Sequence, residues 1–80
     1  MSSNASEQMT EQLQDLFISL NNSFLQVAQG SSLNITDMEQ LQAQLSQAHE
    51  KLLKLTNDPN HTKFQALLDR CNVIFTKLKQ

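Results

Sequence analysis

The sequence predicts an all-α protein, either an up-down-up three-helix bundle or a coiled-coil-like helical hairpin with one further helix. Three observations lead there. Apolar residues recur at steps of three and four over three separate stretches, the spacing of one face of an α-helix. The only glycine, Gly30, and the only proline, Pro59, fall between those stretches. Nowhere does a strand-like alternation of apolar and polar residues compete with this pattern.

Residues 1–5 are small and polar and are expected to form a flexible N-terminus, leaving 6–80 as a single helical domain. The first helix, expected over about 6–29, can start at Asn4 or Ser6, with Glu7 three positions after Asn4 as in a capping box. Its apolar face reads Met9, Leu13, Leu16, Phe17, Leu20, Phe24, Val27 and Ala28. Gly30 follows the last apolar turn, where a left-handed residue commonly closes a helix.

Thr36-Asp37-Met38-Glu39 matches a capping box and opens a second helix over about 37–56. Its seam of Met38, Leu41, Leu45, Ala48, Leu52 and Leu55 is unbroken and flanked by Gln, Ser, Glu, His and Lys. That helix therefore has one face to bury. Asn57-Asp58-Pro59 interrupts it, since a residue before proline is pushed out of helical geometry. Pro59 suits the first turn of a third helix over about 59–79, with Asp58 as its cap. Phe64, Leu67, Leu68, Cys71, Ile74, Phe75 and Leu78 share its apolar face. Folding the chain back at both breaks brings Phe17, Leu68 and Cys71 near the height of Ala48, the one small residue of the central seam. Phe17 is expected to fill the space Ala48 leaves.

Composition narrows the chemistry. Eighty residues make one small domain, with few residues available to build a core. A single cysteine, Cys71, forms no internal disulfide, and one Cys with two His falls short of a four-ligand zinc site of those residues. No metal or other cofactor is expected. Met1-Ser2-Ser3-Asn4 lacks a basic segment followed by an apolar one, so the expected home is intracellular, cytoplasm or nucleus, and not secreted. In that setting the N-x-S/T sequons at Asn4, Asn21, Asn34 and Asn60 are taken as coincidences of an Asn- and Ser-rich chain. The longest strictly aliphatic or aromatic run, Val73-Ile74-Phe75, is far too short to span a membrane.

Enzymatic work is not expected. His49 and His61 have no nucleophile at a recognisable spacing, and one glycine cannot make a phosphate-cradling loop. Cys71 lies in an apolar stripe, the setting of an inert buried thiol. Gly30-Ser31-Ser32-Leu33 resembles the phosphopantetheine attachment motif of acyl carrier proteins, which are also short, acidic and helical. In that family the modified serine follows an aspartate and opens a helix; here Ser32 follows Ser31, and the expected cap is Thr36. The resemblance covers four residues and implies, as a remote alternative, a carrier modified at Ser32.

Two surface patterns remain. Lys63, Arg70 and Lys77 recur by sevens along one flank of the third helix's apolar stripe, able to pair with acids of a partner helix or with phosphates. A three-helix chain with a basic last helix resembles DNA-binding helix-turn-helix modules, which makes a nucleic-acid-binding domain the alternative reading. Against it stand a net charge of -2 and the lack of a dense basic patch with aromatics. Ile18 and Leu25 lie seven apart, off the main face of the first helix, with Asn21 and Asn22 beside them. Two aligned apolar residues beside a complete core stripe read either as a second contact surface or as two ordinary surface residues. Val73, alone on the back of the third helix, is taken as an ordinary surface residue. The expected function is thus a non-enzymatic helical protein–protein interaction module that associates with other helical proteins as a homo- or hetero-oligomer. Such a chain is similar in style to the small accessory subunits of eukaryotic multi-subunit complexes such as kinetochores, transcription coactivators and membrane-tethering machines.

Overall fold

A computed structural model describes the backbone from residue 4 and the side chains from residue 5 to residue 80. Three helices, α1 (Asn4–Ala28), α2 (Ile35–Leu53) and α3 (His61–Lys79), pack so that every pair is in contact. The architecture is the all-helical three-helix bundle that the periodicity predicts. The flexible end expected over 1–5 falls, for residues 1–3, outside the described residues, while Asn4 and Ala5 already belong to α1.

The core consists of four buried residues from each helix: Met9, Leu13, Leu16 and Leu20 from α1, Leu41, Leu45, Ala48 and Leu52 from α2, and Phe64, Leu68, Cys71 and Phe75 from α3. Each set is spaced four, three and four. This is the a/d repeat that keeps a narrow seam facing its neighbours in antiparallel bundles. Phe17, Met38, Leu55, Leu67, Ile74 and Leu78 pack around the rim of this core. The seam expected on α2 is therefore buried through its middle and partly covered at Met38 and Leu55.

Surface neighbours fix the directions. Gln8 and Lys51 border one groove with Ser19 and Gln44, so α1 and α2 run antiparallel. Met38, early in α2, borders a groove with Leu78 and Lys79 at the end of α3, so these two helices also run antiparallel. Between α1 and α3, which run parallel, the amide of Asn60 reaches the Ser6 hydroxyl at a long 3.5 Å.

The turns show where local chemistry decided the boundaries. Gly30, at φ 94°, closes α1 as expected. The Gly30 N–H donates to the Val27 carbonyl at 3.0 Å and the Ser31 N–H to the Gln26 carbonyl at 2.9 Å, the paired bonds of a Schellman ending. The cap of α2 is Asn34 and not Thr36: the Asn34 side-chain oxygen accepts the Asp37 N–H at 2.7 Å, and helix begins at Ile35. Asparagine is at least as good a cap as threonine, and Asp37 stands three residues after it, so the earlier cap wins. The second break is longer than expected. α2 ends at Leu53, residues 54–60 form successive turns, and α3 opens at His61. Asp58 does act as a local cap, but its carboxylate accepts the Asn60 N–H two residues on, at 2.8 Å. That Asx turn holds Pro59 outside the helix.

Candidate interaction surface

α1 carries 25 residues and α2 and α3 carry 19 each. At 1.5 Å per residue α1 is about 9 Å longer than its neighbours. Its last turns lie where α3 is ending at Lys79 and α2 has only begun at Ile35, so their cover is thin. Phe24, Val27 and Ala28, expected on the buried face, are exposed, Phe24 at 41% and Val27 at 42%. Ile18 and Leu25 stand off that face at 57% and 56%. Four of the seven exposed large hydrophobics of the described residues thus crowd into ten residues of one helix. A sequence signal for this exists in the run 16–36, which contains no charged residue.

Asn21 and Asn22, expected beside Ile18 and Leu25, part company. The Asn21 amide donates to the Phe17 carbonyl at 2.9 Å and is half-buried, whereas Asn22 is exposed. Asn21 is spent on its own helix, and Asn22 is the polar neighbour open to a partner.

Phe17 does not join the fully buried seam opposite Ala48. It is half-buried and lines a groove of about 380 Å³ between α1 and α3, together with Asp69, Arg70, Val73 and Ile74. The wall of this groove is almost wholly apolar. Leu13 and Leu16 of α1, and Leu68 and Cys71 of α3, lie in the closed interior instead. Their volume leaves Phe17 the outer flank. Val73, taken from sequence as a solitary surface residue, shares this groove with Phe17 and Ile74 and so belongs to an apolar surface spanning two helices. No intra-helical spacing could reveal it, because its apolar neighbour Phe17 lies on α1.

Arg70 borders the same groove, and Lys63 and Lys77, seven residues to either side, are exposed. Seven residues return a helical side chain to within about 20° of its starting direction, so the three cations follow the α1-facing edge of α3. Asp69 accepts a hydrogen bond from the Gln65 amide at 2.9 Å along its own helix. Lys79 is turned to the other side, its Nζ 5.1 Å from the Phe75 ring centre in the α2/α3 groove. The cationic flank borders the α1/α3 groove, whereas Ile18 and Leu25 lie about 100° and 80° around α1 from Phe17, outside that groove.

The groups weighed for chemistry lie elsewhere. His49 borders the polar α2/α3 trough with Ser46 and Glu50, and His61 is the first residue of α3, its Nδ1 buried without a partner. Among the described residues no group of three His, Cys, Asp or Glu is placed to hold a metal ion. Cys71 is fully buried, and burial pushes its thiol up to about 11. Ser32 sits exposed in the α1–α2 connection, before the Asn34 cap, and does not open a helix. No helix among the described residues is long and apolar enough to cross a membrane. No family model matches the chain, and neither curated proteins nor solved structures give a significant match.

Proposed function

We propose that this chain is a non-enzymatic, intracellular helical interaction module, a small subunit that joins a larger assembly by receiving a partner helix along its α1/α3 face. The observation that supports this reading is the number of exposed apolar side chains on α1, Ile18, Phe24, Leu25 and Val27, together with the apolar groove of Phe17, Val73 and Ile74. Single exposed apolar residues are ordinary on protein surfaces, but several within ten residues of a bundle whose core is already complete favour a contact surface. The uncharged run 16–36 adds to this, because depletion of charge marks the centres of protein interfaces.

The test replaces Ile18 and Leu25 together by Glu. Both side chains are more than half exposed, so helicity and urea midpoint should stay within about 0.5 kcal/mol of the parent chain. Salt-tolerant copurification with helical partners should be lost. Capture that survives the double substitution would move the interface off this face, and a parent chain that sediments as a monomer and captures nothing would remove the reading altogether.

A further inference from the structure

We infer that the occupant of the α1/α3 face is an amphipathic helix of another protein whose apolar stripe is flanked, on one side, by acidic residues at seven-residue intervals. The inference rests on the interaction reading above and specifies the chemistry of the partner. The groove offers an apolar floor of Phe17, Val73 and Ile74. Its two edges differ in charge. On the α1 edge, Phe17 lies within a run of 21 uncharged residues, 16–36. On the α3 edge stands one cation per seven residues, Lys63, Arg70 and Lys77, all exposed.

Height on the bundle ties the two edges together. Ser6 meets Asn60 and Phe17 lies beside Arg70, so Lys77, seven residues above Arg70, stands at about the height of Phe24. The cations therefore run past the apolar floor of Phe17, Val73 and Ile74 on both sides, Lys63 below it and Lys77 above it. A docked helix lying antiparallel or parallel to α3 would present its own flanking positions to these cations at the same seven-residue interval, as e and g positions do in coiled coils. Acids there would be attracted and lysines repelled. One acid, Asp69, also borders the groove and keeps its charge, but the three cations outnumber it along this edge. A second copy of this chain fits less well, because no two of its acids lie seven residues apart; those of α1, Glu7, Glu11 and Asp15, are spaced by four.

The experiment titrates the full chain into two fluorescent 21-residue amphipathic peptides that share a Leu stripe and differ only at the flanking seven-residue positions, Glu in one and Lys in the other. The Glu peptide should bind about tenfold more tightly than the Lys peptide at low salt, the size expected of three exposed charge pairs made against three opposed. Arg70→Glu with Lys77→Glu should reverse the preference, and Arg70→Gln with Lys77→Gln should cut it to the roughly twofold that Lys63 alone supports, with helicity by circular dichroism checking that both variants fold. Equal binding of the two peptides, or a preference untouched by these variants, would overturn the inference. So would a parent chain that sediments as a dimer in which Val73 is protected, or salt-sensitive binding of a 20-bp DNA duplex lost in Arg70→Glu with Lys77→Glu. If neither peptide binds while copurification still depends on Ile18 and Leu25, the acidic occupant falls and helix docking stands.

Discussion

Cys71 shows how strongly position governs chemistry in this chain. Its thiol has no exposed surface, and burial without a charged partner disfavours the thiolate, raising the pKa from 9.0 to about 11. Two outcomes follow. At pH 8 the native thiol should react with iodoacetamide far more slowly than the same thiol in 6 M urea, as followed by intact mass. Because the native state holds this proton to about pH 11 while the unfolded chain releases it near pH 9, the unfolded state binds fewer protons in that window. Stability attributable to this group is complete below pH 9 and is lost as pH rises towards 11. Urea unfolding of the parent chain and of Cys71→Ala across that range should show the steeper decline in the parent; parallel declines would mean the thiol titrates as it does in water. Phe17 and Val73 make the same point from the surface. Each reads from its own helix as something ordinary, a core aromatic and a stray valine, and they become two walls of one groove when α1 and α3 lie side by side.

Helix boundaries were set by competition between short-range bonds. The start of α2 had two eligible caps, and the bond from the Asp37 N–H to Asn34 at 2.7 Å records which one prevailed. Asn34→Ala should accordingly cost about 1 kcal/mol in urea unfolding. Thr36→Ala, inside the first turn and exposed, should cost less than about 0.5 kcal/mol. The reverse order would restore Thr36 as the cap. Gly30 was legible because a closing left-handed residue has one good solution, glycine, and the chain has one glycine. Asp58-Pro59 was legible as a break but not as a boundary. An aspartate before proline can cap a helix or build an Asx turn, and the bond to the Asn60 N–H chose the turn, displacing the start of α3 to His61.

Across the bundle, burial thins towards the end at which α3 stops and α2 begins. Leu20 and Phe24 are one turn apart on the same stripe of α1, yet Leu20 has no exposure and Phe24 keeps 41%. Leu20→Ala should cost about 2–5 kcal/mol through lost burial and a residual cavity. Phe24→Ala should cost about 1 kcal/mol, in the range of an ordinary single substitution, and should weaken partner capture instead. Urea midpoints for the two variants, measured beside copurification, separate a core residue from an interface residue. Equal losses of stability would place Phe24 inside the fold and shrink the proposed face.

Periodicity in the chain was enough to specify three helices and the four-three-four seams that bury Met9 to Leu20, Leu41 to Leu52 and Phe64 to Phe75, because a helix has one pitch and residues at that spacing have one side on which to be buried. The chain also offered the two halves of the candidate surface, Ile18 with Leu25 and the cations spaced by sevens, as separate features. Joining Phe17 to Arg70 and Val73 in one groove, and leaving Phe24 and Val27 exposed, depended on which flank of α1 meets α3 and how far each helix reaches. Those are relations between elements distant in the chain. Residue spacing within a helix carries no information about them.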